Sequence, residues 1–154
     1  MSPIHFLLVD DERILIEAVA ERLRLKGQIV DISISGAEAL TRLKTCNTID
    51  IVVLYIQMNG EDGLEILNRI RAEYPLVEVI IVTDNASIQS AIDAMKLGAF
   101  NYLIKPVDFD DLLANANNAV IKKRNREEKI FNVRIRPYLS PEEKNEMISK
   151  ILEE

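Results

Sequence analysis

Four short apolar runs in this chain each end in side chains that can do chemistry. Asp10 and Asp11 follow residues 4–9, Tyr55 lies at the end of 49–56, Thr83 follows 79–82, and Lys105 follows 102–104. Carboxylates, a phenol, a hydroxyl and an ammonium so far apart in sequence act together only if the fold gathers them. Asp84 adds a third carboxylate beside Thr83, and Asp10, Asp11 and Asp84 together could attract a divalent cation weakly. The phenol is the odd member. Its unperturbed pKa is about 10, so about one molecule in a thousand is phenolate at neutral pH, and the neutral hydroxyl is a poor metal ligand. Lys105 would lower that pKa and the carboxylates would raise it, so the sequence gives no net direction.

The elements that must position these residues alternate between strand-length apolar runs and segments of helical period, which is the pattern of parallel βαβ units. Strands are expected at 4–9, 29–33, 50–56, 78–82 and 101–104, and their nearly continuous Val/Ile/Leu content suits a sheet covered on both faces. Between them, Ile14, Ala18, Leu23 and Leu25 suggest a first helix stopped by Gly27. Ala37, Leu40 and Leu43 mark a second. Leu64, Leu67, Ile70 and Arg71 mark a third, ended by Tyr74 and Pro75. Ser87 can cap a fourth that Gly98 stops. A fifth opens at Asp108, and its apolar positions Leu112, Leu113, Ala116, Ala119 and Val120 run on into a basic stretch with no breaker. Its end is expected near Lys129. Residues 131–136 alternate as a short strand or an extended linker would. Ser140, Pro141, Glu142 and Glu143 then have the chemistry of a helix start, and a last helix runs to about Leu152. In a doubly wound α/β fold, functional groups gather at the carboxyl ends of the strands, so the singled-out residues should share one crevice.

Composition narrows the function classes. The chain has 154 residues, 48% hydrophobic and 29% charged, as in ordinary soluble globular proteins. No apolar stretch approaches the length of a membrane span, nothing resembles a secretory leader, and a cytoplasmic location is expected. With one cysteine, Cys46, and one histidine, His5, neither an internal disulfide nor a zinc site is expected. Both residues read as structural, His5 opening a strand and Cys46 ending a helix. A net charge of −6 argues against nonspecific nucleic-acid binding by the chain as a whole.

The acidic pair, the central strand end at Tyr55, the loop of Met58, Asn59 and Gly60, the pair Asp62 and Gly63, Thr83, and Lys105 with Pro106 together resemble the receiver domain of two-component response regulators. The resemblance covers residues 4 to about 121. It implies a flavodoxin-like, CheY-like fold: a doubly wound five-stranded parallel sheet of order 2-1-3-4-5, helices on both faces, and here a C-terminal helical extension. It implies a receiver over 1–121 and an appended segment over 122–154. In the family the position of Tyr55 is an aspartate that takes a phosphoryl group from a histidine kinase. Asp10 and Asp11, with the backbone carbonyl of Gln57, would hold Mg²⁺. Thr83 and Lys105 would bind phosphoryl oxygens, and Tyr102 would be the aromatic that turns inward on switching. Asn59 replaces the family's usual proline, and Asp84 replaces a small residue.

The expectation is therefore a non-enzymatic receiver whose phosphoacceptor position is degenerate, with no firm cofactor and at most a weak or lost Mg²⁺ site. Asp84 should repel a phosphoryl donor, pair with Lys105, or point to solvent. The chain should act as a protein-interaction module for a histidine kinase, phosphotransfer protein or effector. It could also form a homodimer through the face of helix 4, strand 5 and helix 5 or through its C-terminal helices. One alternative is phosphorylation on another carboxylate, Asp11 or Asp62. Another is nucleic-acid binding through the basic segment 122–136, although no reading motif accompanies it. The basic stretch and the acidic last helix could instead pair with each other.

Overall fold

The computed structural model describes residues 2–56, 62–84 and 87–154. Five strands, β1 (His5–Val9), β2 (Ile29–Ser33), β3 (Ile51–Tyr55), β4 (Glu78–Thr83) and β5 (Asn101–Ile104), form one parallel sheet in the order β2-β1-β3-β4-β5. Between and after them lie α1 (Arg13–Leu25), α2 (Gly36–Thr45), α3 (Gly63–Glu73), α4 (Ile88–Lys96), α5 (Phe109–Arg134) and α6 (Pro141–Glu153). Every residue of β1, β3 and β4 is buried. The edge strands β2 and β5 are not. This burial explains the unbroken apolar runs of the central strands.

Two apolar layers flank the sheet. One joins Phe6, Leu8, Val53 and Val82 to α1 and α5; the other joins Leu7, Leu54, Ile81 and Tyr55 to α2, α3 and α4. The helix starts follow the capping chemistry of the sequence. Ser35, Asp62, Ser87, Asp108 and Ser140 each accept a backbone N–H of the first turn. Gly63, the first residue of α3, lies so close to β3 that any Cβ there would overlap the Ile56 backbone, which fixes the end of β3. Gly98 closes α4 with φ +98, a left-handed conformation suited to glycine.

Expectations about three helices need correction. The buried face of α1 is Ile16, Ala20 and Leu23, whereas Ile14 and Leu25 are 89% and 82% exposed and Ala18 is also exposed. In α2 the buried positions are Gly36, Ala39 and Leu43, and Ala37 faces outward. The fifth helix also does not stop near Lys129, and residues 131–136 form neither strand nor extended linker. Instead, α5 continues to Arg134, with Arg126, Ile130 and Val133 extending the buried stripe of Leu112, Ala116 and Ala119.

That extension gives α6 its seat. Ile130, Val133 and Ile151 form a third small core with Leu76, Leu139, Met147, Ile148 and Leu152. Arg126, 2% exposed, pairs at 2.6 Å with Glu78, which is fully buried, and also donates to the carbonyls of Pro75 and Leu152. Lys123 pairs with Asp50 at 2.6 Å, and Lys129 with Glu154 at 2.7 Å. The basic stretch meets the last helix within one chain through Lys129 with Glu154 and Arg126 with the Leu152 carbonyl, while Lys123 and Arg126 also pair with acids outside it. No described helix is long and apolar enough to cross a membrane.

Candidate functional site

The carboxyl ends of β1, β3, β4 and β5 bring Asp10, Tyr55, Thr83 and Lys105 to one crevice, because the chain order of the strands differs from their order in the sheet. Tyr55 ends β3 opposite Val82 and is only 5% exposed. Its hydroxyl donates to both oxygens of Asp84 at 2.6 Å. The Lys105 ammonium sits 3.9 Å from the centre of the Tyr55 ring, a cation–π arrangement. It also donates to Asp10 at 2.9 Å and lies 3.6 Å from Glu12. The second Asp10 oxygen accepts the Glu12 amide. Thr83 is buried, and its carbonyl accepts the Lys105 amide at 2.7 Å, tying the ends of β4 and β5 together. The Lys105–Pro106 peptide bond is cis.

Electrostatics follow from these contacts. Burial above all, then the hydrogen bond and charge of Asp84, then the charges of Asp10 and Glu12 hold the phenol well above its ordinary 10.0. The direction left open by the sequence is therefore upward, since Lys105 meets the ring face and the carboxylates surround the oxygen. Burial also raises the Asp10 carboxyl above its ordinary 3.8, against the lowering pull of the Glu12 amide and Lys105. Asp84 does not pair with Lys105, whose ammonium is taken by Asp10. Although the residue is exposed, its carboxylate turns back to the phenol.

The remaining expected site residues divide by position. Asp11 is half-buried beside Asp10, and Tyr102 is partly buried against the apolar layer that contains Tyr55. Asp62 caps α3 and is exposed. Gln57 and Asn59 lie outside the described residues. Glu12 is a site residue that sequence reasoning passed over; the run of three acids at 10–12 was its only signal. Beneath the polar rim a cavity of about 440 Å³ extends between the sheet and α1, walled by Ile16, Val19, Val53 and Val82.

A hard divalent cation needs charged oxygens that are not already engaged. One Asp10 oxygen holds an amide and the other an ammonium, and the central donor is a neutral phenol pointed at Asp84. Asp10, Tyr55, Asp84 and Lys105 thus form a network of one ion pair, one hydrogen-bonded phenol and one cation–π contact, with the half-buried Asp11 beside it.

Comparisons with known proteins agree with this architecture. The family described as "Response regulator receiver domain" matches residues 6–117. The transcriptional regulatory protein ZraR of Escherichia coli (strain K12) is 36% identical over 117 residues, covering 76% of this chain and 26% of that protein. The chain thus spans about a quarter of the length of the curated relatives it matches. A response regulator receiver domain from Clostridium thermocellum superposes with a TM-score of 0.74 at 36% identity, covering 79% of this chain and 97% of the other. A response regulator from Burkholderia pseudomallei, solved with a phosphorylated aspartic acid, a calcium ion and citrate, gives a TM-score of 0.70 at 25% identity. It covers 84% of this chain and 83% of the other.

Proposed function

This chain belongs to the response regulator receiver family, and from that premise we propose that it is a two-component signalling receiver that does not take a phosphoryl group on Tyr55. It works instead through protein contacts, as a binding module and not an enzyme. One observation carries this reading: the group at the acceptor position is a neutral phenol whose proton is held by Asp84 and whose ring is covered by Lys105. Acceptance of a phosphoryl group needs a charged nucleophile with room for the incoming phosphorus and for a metal that neutralises its oxygens. Here the phenol proton is held by Asp84, its ionisation is suppressed, and the lysine that would meet the phosphoryl group is paired with Asp10. The Burkholderia relative carries its phosphoryl group on an aspartic acid, which this position lacks.

Residues 1–121 are assigned to the receiver and 122–154 to an appended brace. Partners are a histidine kinase, a phosphotransfer protein or an effector. The surface offered to them is the face of α4, β5 and α5, where Ile88 is 81% exposed and Met95 and Ile104 are about half exposed. The apolar side of α6 packs within the chain, while Phe131 and Ile135 at the end of α5 are 60% and 59% exposed, so both the α4–β5–α5 face and the C-terminal helices are surfaces for a homodimer.

The test is intact-mass spectrometry after incubation with acetyl phosphate and Mg²⁺, with Tyr55→Asp measured beside the natural chain. The expected result is a phosphoryl adduct on the variant alone. An adduct on the natural chain, mapped to Asp11 or Asp62, would replace this reading with phosphorylation at another carboxylate.

A further inference from the structure

The chain has one histidine and one cysteine, 41 positions apart by number (46 minus 5), and the fold brings them together with an aspartate from a third element. His5 opens β1, Asp31 lies in β2, and Cys46 caps the end of α2. A ring nitrogen, a carboxylate oxygen and the sulfur lie within 4.8 Å of one another. We propose that these three residues form a site for a borderline-soft divalent transition-metal cation of the Zn²⁺ type. The site is separate from the Tyr55 crevice: it lies at the other end of β1, about 16 Å away for the five residue steps from His5 to Asp10.

The ligand chemistry is the first argument. Imidazole nitrogen, thiolate sulfur and carboxylate oxygen are the donors that Zn²⁺ takes, and three protein ligands with a water in the fourth place make a common set. In a tetrahedral site with bonds of about 2.0–2.3 Å, ligand atoms lie roughly 3.3–3.6 Å apart. Closing the observed spacing needs a movement of about an ångström, within reach of side-chain rotation at two half-buried residues. On binding, the thiol proton of Cys46 passes to solvent as the sulfur–metal bond forms.

The second argument is that every ligand already has an outer partner. Asp31 Oδ1 accepts from Arg42 at 2.7 Å, while its Oδ2 lies 2.6 Å from His5 Nε2, a direct contact between two of the proposed ligands that the cation would replace. His5 Nδ1 lies 2.9 Å from the Thr48 hydroxyl, and that hydroxyl lies 3.3 Å from the Cys46 sulfur. Thr48 can thus accept the Nδ1 proton, leaving Nε2 as the ligand atom, and donate its own proton to the sulfur. Such outer partners orient metal ligands and tune them. One histidine and one cysteine make a zinc site unexpected from sequence; the proposal departs from that expectation by taking Asp31 of β2 as the third ligand.

The test titrates the reduced full chain with Co²⁺ alone and then adds Zn²⁺. The expected result is one equivalent bound, with a thiolate-to-cobalt charge-transfer band and the visible bands of four-coordinate cobalt, both erased by Zn²⁺. Cys46→Ser should lose the charge-transfer band while keeping the folded circular-dichroism spectrum. Thr48→Val should weaken Zn²⁺ affinity about 10–100-fold, as loss of an outer partner does. Asp11→Asn, in the crevice, should leave both unchanged. Absence of the thiolate band at one equivalent, or Zn²⁺ affinity unaltered by Cys46→Ser, overturns the proposal. Binding lost in Asp11→Asn instead would assign the cation to the acidic crevice and equally overturn it.

Discussion

Replacing a carboxylate with a phenol at a strand end changes which partner the position needs. A carboxylate there only accepts hydrogen bonds, whereas the Tyr55 hydroxyl must donate one, and Asp84 is the nearest charged acceptor. The protonated phenol is favoured by the fold, since burial and the Asp84 carboxylate hold its pKa well above 10.0. A group whose folded pKa is raised contributes stability that is complete below its unfolded pKa and is lost as pH rises through the folded value. Tyr55 therefore stabilises fully below about pH 10 and loses that contribution only in stronger alkali. The phenolate absorbance of the natural chain minus that of Tyr55→Phe should stay flat through pH 10; a difference signal with a midpoint at or below 10 would contradict the buried, Asp84-bound phenol. Removal of the hydroxyl should cost about 0.5–1.5 kcal/mol in urea unfolding near neutral pH. The loss should sit at the low end, because the exposed Asp84 can turn to water.

Elements show why part of this fold was legible and part was not. Strand positions and caps rest on local chemistry: Ser87, Asp108 and Ser140 precede helices and accept their first amides as expected. The face of α1 was misjudged because residues 14–20 are apolar on nearly every side, so a 3.6-residue period fits either Ile14 with Ala18 or Ile16 with Ala20. Only the sheet decides. Residues 131–136 alternate like a strand, but Ile130 and Val133 continue a helical stripe that Arg126 joins by ion pairing. That pair spans 48 positions, and no local pattern announces it. In the crevice, residue types were readable but the pairing of Tyr55 with Asp84, and not Lys105 with Asp84, depended on geometry. The Arg126 pair sets the element-scale prediction. Arg126→Ala leaves the buried Glu78 without its ion-pair partner, with only the charge of Arg71 nearby, and also frees the carbonyls of Pro75 and Leu152. Breaking such a pair costs about 3–5 kcal/mol, read as a lowered urea midpoint at unchanged slope. A loss under about 1 kcal/mol would mean that this brace does not hold α5 to the sheet.

At the scale of the whole molecule, the two ends of the sheet carry different work. The crevice lies at the carboxyl ends of the strands, while the brace meets β3 and β4 at their starts, through Asp50 and Glu78. This arrangement engages three of the seven cations of the basic stretch 122–136. Lys123, Arg126 and Lys129 each point at an acid of the same chain, and the molecule as a whole carries −6. Affinity for a nucleic-acid backbone comes from counterions released as unpaired cations approach phosphates, with log K falling by about 0.9 per phosphate neutralised for each unit of log salt. Cations already paired at 2.6–2.7 Å must first give up their internal partners, and the surrounding acids repel the duplex. The full chain should show no change in the fluorescence anisotropy of a labelled DNA duplex at micromolar protein and physiological salt. Binding with a salt slope of about −2 or steeper would show that the segment detaches from the acids it touches, and would move 122–136 from a brace to a nucleic-acid contact.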